Sequence, residues 1–239
     1  MKLIKNQKKV DKDKLTLLCL PFAGGGASTY NNWMERMRGK LNVCPIQLPG
    51  REERIMEKPY EDMSVMLDDL EQEVLSVIKG PYALWGHSMG AKIAYELEKR
   101  MEKSGYIAKC FFVSGSRVPH IPESAPIYHL SDVEFKRELK RFEGIPKAIL
   151  DNTELLDFFL PMLRADFAMD ETYCSEMIEP LKCSIVAFGG DSDKEASIED
   201  IKAWNDYSLN SFSYQIFSGG HFYVREHEEE IIETIINQL

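Results

Sequence analysis

The chain has 239 residues, 44% hydrophobic and 28% charged, so it can bury a sizeable core and is too apolar to be a disordered chain. Its net charge of −10 argues against nucleic acid or an anionic membrane as the main partner. Of the five cysteines, Cys19, Cys44, Cys110 and Cys183 lie in apolar runs and none forms a C-x-x-C pair, which reads as reduced core residues of a cytoplasmic protein. No apolar stretch reaches the length of a membrane span, and the basic N-terminus lacks the apolar region of a signal peptide. Residues 1–14 carry six Lys and two Asp, and this start reads as a frayed, solvated terminus.

In chain order, Leu15 to Leu20 reads as a buried strand, followed by the Gly-rich loop Phe22-Ala23-Gly24-Gly25-Gly26-Ala27-Ser28. Tyr30 to Met37 has helical character. Leu41 to Leu48 reads as a second strand, broken by Pro49-Gly50. Ser64 to Ile78 is an amphipathic helix, with Val65, Leu67, Leu70, Val74, Leu75 and Ile78 at spacings near one turn. Tyr82 to Trp85 is a third strand, and a helix opens at Ala91. Ala108 to Val113 is a further buried strand. Between about 117 and 180 the alternation fails. That stretch is rich in helix formers (Asp132 to Phe142, Thr153 to Ala168) and reads as a helical insertion of the kind that forms a lid. Strands at Cys183 to Phe188 and Phe212 to Phe217 follow, with helices at Ile198 to Tyr207 and Glu226 to Leu239. The alternation predicts an α/β fold: one domain over 1–239 with a mostly parallel central sheet flanked by helices.

The motif with most chemical content is Gly86-His87-Ser88-Met89-Gly90, set between a strand and a helix. That is the G-x-S-x-G elbow, a turn so tight that side chains at either glycine would clash, and it presents the Ser88 hydroxyl as a nucleophile. A serine needs a base, and in this fold the partners follow as acid and then histidine. His221, after Ser218-Gly219-Gly220, has the right order and the right loop. His87 is expected to point away from the site, His120 and His129 fall in the insertion, and His227 sits on an acidic, solvated helix. For the acid, Asp193 is preferred and Asp191 is read as a turn-capping residue. The oxyanion donors are expected to be the backbone N–H groups of Met89, after the nucleophile, and Ala23, in the loop after the first strand. No metal-ligand spacing and no phosphate-loop pattern is visible, so no metal or cofactor is expected.

Further motifs carry a family resemblance. Pro21 to Ser28, Gln47-Leu48-Pro49-Gly50-Arg51-Glu52-Glu53-Arg54, and Gly86 to Ala91 closely resemble the type II thioesterases that accompany nonribosomal peptide and polyketide synthetases. So do Ser114-Gly115-Ser116-Arg117-Val118-Pro119-His120, Phe159 to Phe167, Gly189 to Asp193 and Gly219 to Phe222. The resemblance covers about 15–235. It implies the α/β-hydrolase fold and removal of misprimed acyl groups from the phosphopantetheine arm of carrier proteins. Ser88, Asp193 and His221 would then be the triad, and Met89 and Ala23 the oxyanion donors. The phosphopantetheine belongs to the substrate, and carrier domains are the expected partners of a monomeric enzyme. Phe135, Phe142, Phe158 and Phe159 would line an acyl pocket or pack the insertion. Lys136, Arg137, Lys140 and Arg141 would meet an acidic carrier or form a solvated face. The alternatives are a general carboxylesterase or acyl-CoA thioesterase, and a non-catalytic carrier-binding protein. A terminal cyclising thioesterase should follow a carrier domain, and only about fourteen residues precede the first strand.

Overall fold

The computed structural model describes residues 2–7, 10–142 and 144–239. Strands β1 (Thr16–Leu20), β2 (Asn42–Pro45), β3 (Tyr82–His87), β4 (Cys110–Ser114), β5 (Ser184–Gly190) and β6 (Phe212–Phe217) form one sheet in the order β2-β1-β3-β4-β5-β6. Every pairing is parallel. The helices are α1 (Asn31–Arg36), α2 (Met63–Val77), α3 (Met89–Lys103), α4 (Asp132–Leu139), α5 (Lys147–Leu150), α6 (Thr153–Thr172), α7 (Ile198–Ala203), α8 (Tyr223–Glu226) and α9 (Glu228–Gln238).

A parallel sheet needs apolar cover on both faces, so its strands read as continuous apolar runs. Along β1, Leu18 and Leu20 point into a core shared with α2 and α3, while Leu17 and Cys19 point to the opposite layer with Trp33 and the α9 isoleucines. Cys19, Cys44, Cys110 and Cys183 are buried free thiols, and Cys174 is exposed. Helices α4 to α6 lie between β4 and β5 and enclose a small core of their own, in which Phe135, Leu139, Leu160 and Phe167 are buried. Glu143 lies outside the described residues of that segment.

The structure differs from the sequence reading in three places. On α2 the buried face is Met63, Met66, Leu67, Leu70 and Val74, and Val65 is exposed. Asp62 caps the N-terminus through the Ser64 and Val65 N–H groups, and at 3.6 residues per turn Val65 falls on the side opposite that buried stripe. The last helix is broken at His227, whose ring lies between Ser218 and Glu230 and is half-buried rather than solvated. The basic start is not frayed. Leu3 and Ile4 are 2% and 3% exposed, Ile4 bridges Ile46 antiparallel, and the Glu73 carboxylate accepts both of their N–H groups. Two apolar residues inside the lysine run outweigh its charge once β2 offers an edge to pair with. Met1, Lys8 and Lys9 lie outside the described residues.

Glu98 of α3 is fully buried, accepting from the Tyr82 hydroxyl (2.7 Å) and the Ala108 N–H (2.7 Å). Burial raises its pKa to about 7. A carboxyl raised in the folded state contributes stability that is present below its unfolded pKa and is lost as pH rises through 7. We predict that the melting temperature of the wild type falls between pH 5 and pH 8 relative to Glu98→Gln by roughly 2–6 °C, measured by thermal unfolding across that range.

Candidate active site

The elbow is built by close approach of α3 to two strands. A Cβ on Gly86 would lie 2.2 Å from the Gly90 carbonyl oxygen, and one on Gly90 would lie 2.5 Å from the Leu20 carbonyl oxygen. These are backbone atoms that cannot step aside. The squeezed turn leaves Ser88 at φ 55°, ψ −123°, a left-handed conformation that costs a non-glycine residue on the order of 1–3 kcal/mol. The Ser88 N–H donates to the Ser114 carbonyl (2.9 Å), which anchors the turn to β4. Met89 follows as the first residue of α3, where helix N–H groups have no intrahelical acceptor and the helix dipole favours negative charge.

The other polar residues come from the C-terminal ends of β5 and β6, where ligands meet open α/β sheets. A Cβ on Gly190 would lie 2.5 Å from the carbonyl oxygens of both Gly219 and Gly220, so glycine there lets the two turns touch. Asp191 staples them together. Its N–H donates to the Phe217 carbonyl, and its carboxylate accepts the Gly219 N–H (3.0 Å). The Gly219 N–H, together with the Ser192 hydroxyl, holds its pKa below the usual carboxylate range. The neighbouring turn then presents Asp193, whose side chain is fully buried, to His221. Asp193 Oδ2 lies 2.9 Å from His221 Nδ1, and Oδ1 accepts the N–H groups of Glu195 and Ala196. Ser88, Ala23 and His221 line one cavity of about 60 Å³.

The lining of that cavity combines the apolar Phe142, Ile145, Phe167 and Phe222 with the charged Lys92, Arg117, Glu123, Asp170 and Glu171. The charges are largely paired. Arg117 meets Glu123, Lys92 donates to the Asp170 carbonyl (2.9 Å), and Glu171 accepts the N–H groups of Ile127 and Tyr128. Burial raises the Glu171 pKa to about 7. Of the four insertion aromatics singled out in the sequence, Phe142 lines the cavity, Phe135 packs the insertion core, Phe159 is partly buried against that core and Phe158 is exposed. In the basic run, Lys136 pairs with Asp157, and Arg137 and Arg141 pair with Glu138.

Sequence reasoning missed the support behind His221. His87 does not line the cavity, but its ring packs 4.9 Å from that of His221. His87 Nδ1 meets Ser114 Oγ (2.9 Å), which meets the Tyr223 hydroxyl (2.6 Å). Burial, with His221 nearby, drives the His87 pKa well below the usual imidazole range, so the ring stays neutral. Gly115, at φ 53°, makes room for both imidazoles, since a Cβ there would lie 2.7 Å from His87 Cε1 and 3.3 Å from His221 Cε1. The only sequence signal was the position of Ser114-Gly115 at the end of a strand. His120, at the start of the insertion, bonds the Tyr207 hydroxyl instead.

Residues 15–239 match the family model of the thioesterase domain. The chain belongs to the thioesterase family. Members of this family hydrolyse thioesters, and their serine chemistry needs no cofactor. The gramicidin S biosynthesis protein GrsT of Aneurinibacillus migulanus is 38% identical over 228 residues, covering 95% of this chain and 89% of GrsT. Among solved structures, the type II thioesterase BorB from the borrelidin biosynthetic cluster superposes with a TM-score of 0.89 at 32% identity, covering 99% of this chain and 97% of BorB. ClbQ from the colibactin NRPS/PKS pathway gives a TM-score of 0.87 at 28% identity, covering 94% and 96% of the two chains. The thioesterase α/β-hydrolase fold is therefore the fold of this chain. Among the described residues, no helix is long and apolar enough to cross a membrane.

The clash at the elbow gives a direct check. Gly90→Ala should disrupt the packing of α3 on β1 without touching any polar group of the site. Reaction of Ser88 with a fluorophosphonate probe, followed by mass spectrometry, should fall at least about tenfold, together with a drop in melting temperature.

Proposed function

We propose that this thioesterase is an editing enzyme that clears short acyl groups from the phosphopantetheine arm of carrier proteins, through an acyl-Ser88 intermediate. One observation carries the reading: a strained, elbow-borne Ser88 opens on the same cavity as His221, and His221 is held 2.9 Å from the buried carboxylate of Asp193. The relatives supply the substrate class, since BorB and ClbQ belong to natural-product assembly pathways.

In this mechanism Ser88 Oγ attacks the thioester carbonyl carbon while His221 Nε2 takes its proton. Asp193 accepts from Nδ1–H, fixing the tautomer and stabilising the imidazolium. The tetrahedral oxyanion is held by the N–H groups of Met89 and Ala23. Collapse breaks the C–S bond, and the pantetheine sulfur leaves with the proton from His221. His221 then deprotonates a water that attacks the acyl carbon, and the second collapse frees the acid and returns the proton to Ser88. The segment 117–180 acts as a lid over this chemistry. The cavity is small and several of its lining residues are charged, which favours short acyl groups over long alkyl chains. The protein is read as a cytoplasmic monomer that docks carrier domains by local contacts, because its own net charge of −10 opposes long-range attraction to an acidic carrier.

Acyl-carrier protein, acyl-CoA and a p-nitrophenyl ester, offered to wild type and Ser88→Ala, separate the readings. We expect hydrolysis of all carrier-bound short acyl groups to be lost in Ser88→Ala, with acetyl preferred to palmitoyl in the wild type. Wild-type activity in Ser88→Ala would remove the nucleophile. A marked preference for the oxygen ester or for acyl-CoA would point to a general esterase or acyl-CoA thioesterase. The two aspartates should also separate. Asp193→Ala should lower kcat by about 10³–10⁴, as loss of a triad acid does, whereas Asp191→Ala should cost roughly tenfold or less; steady-state kinetics of the pair checks the assignment.

A further inference from the structure

Arg51 and Asp166 form an ion pair almost wholly withdrawn from solvent, with side chains 4% and 0% exposed. The contact is bidentate: Arg51 Nη1 donates to Asp166 Oδ2 and Nη2 donates to Oδ1, both at 2.7 Å. Arg51 stands in the turn after β2, and Asp166 stands on α6 within the insertion. Between them lies the glycine loop. The Gly24 N–H donates to Asp166 Oδ2 (2.7 Å), and the Gly25 carbonyl accepts from Arg51 Nη1 (3.0 Å). Gly24 is at φ 79°, and a Cβ there would lie 2.9 Å from Leu163 Cδ2, one turn before Asp166 on the same helix. The backbone next to Ala23 is therefore set by two side chains from distant parts of the chain. A buried ion pair is rarely worth more to stability than apolar packing of the same volume. Its geometry here, with both partners also bonded to one loop, answers a need for placement instead.

We propose that Arg51 and Asp166 are positioning residues for hydrolysis. By gripping the peptides at Gly24 and Gly25 they hold the Ala23 N–H in line with that of Met89, and they make the oxyanion site depend on α6 being seated against the glycine loop. This rests on the reading of Ser88 as nucleophile and Ala23 as oxyanion donor. Neither side chain touches the substrate. Asp166 also occupies the Gly24 N–H, which removes it as a competing donor. The bidentate contact explains the residue type: an ammonium at position 51 could make a point contact with Asp166, but not the parallel pair together with the Gly25 carbonyl.

The test uses the full chain with Asp166→Asn and Arg51→Lys. It measures kcat and KM on a short acyl thioester, the affinity of a boronic acid that forms a tetrahedral adduct on Ser88, and the folded fraction by active-site titration. Because the donor is misplaced rather than removed, kcat should fall by about 10–100-fold per folded site, with KM within about threefold. Boronate affinity should fall by the same factor as kcat/KM, which a merely structural role would not produce. Arg51→Ala should regain part of its kcat on addition of millimolar guanidinium, and this rescue carries the test if Asp166→Asn does not fold. The proposal is overturned if folded Asp166→Asn and Arg51→Lys keep kcat and boronate affinity within about twofold of wild type, or if guanidinium restores nothing to folded Arg51→Ala. Failure of the wild type itself to bind the boronate at Ser88 would overturn the nucleophile reading instead.

Discussion

The approach of α3 to β1 and β3 is the constraint on which the rest of the site depends. With Gly90 pressed against the Leu20 carbonyl and Gly86 against the Gly90 carbonyl, the chain between them has one way to turn, and that way puts Ser88 in a left-handed conformation. The strain is local and is offset by the apolar packing of α3, where Met89, Ile93, Ala94 and Leu97 are fully buried. The same packing sets the helix N-terminus directly beneath the serine. The exposed Ser88 hydroxyl and the oriented Met89 N–H thus come from one geometric fact, the absence of two methyl groups.

A second tight approach completes the site. The turns after β5 and β6 touch because Gly190 leaves no side chain between them, and Asp191 binds one turn to the other. Asp193 and His221 meet as a consequence, although 28 residues separate them. Behind them a neutral His87, bonded through Ser114 to Tyr223, gives the His221 ring a rigid back wall. Desolvation is what keeps His87 neutral, so the two imidazoles can pack side by side without mutual repulsion.

The insertion contributes a different kind of control. Its helices have their own apolar core, so α6 can present Asp166 and Leu163 to the glycine loop while Phe142 and Phe167 close the cavity. The charged residues of its lining are held in pairs or by backbone groups, which lowers the cost of burying them and leaves a small, partly polar chamber. The proposed preference for short acyl groups follows from that lining as much as from volume.

Much of this was legible in the sequence. Period and punctuation alone set the alternating strands and helices and the elbow with its glycines, because each depends on residues within a few positions of one another, and the order of serine, acid and histidine was read from the fold that this alternation implies. That Asp193 would face His221 was also readable, since turn geometry is local, although the stapling of the two turns by Asp191 was not. What the sequence could not determine were contacts between segments distant in the chain. Leu3 and Ile4 pack beside β2, although the surrounding lysines suggested a solvated start. Gln47 is buried and holds the Ala27 N–H, His87 backs His221, and Arg51 grips Asp166 across 115 positions. A polar side chain carries no mark in the sequence of whether it faces water or a buried partner; only the folded chain, by bringing the partner within hydrogen-bond reach and excluding solvent, decides that.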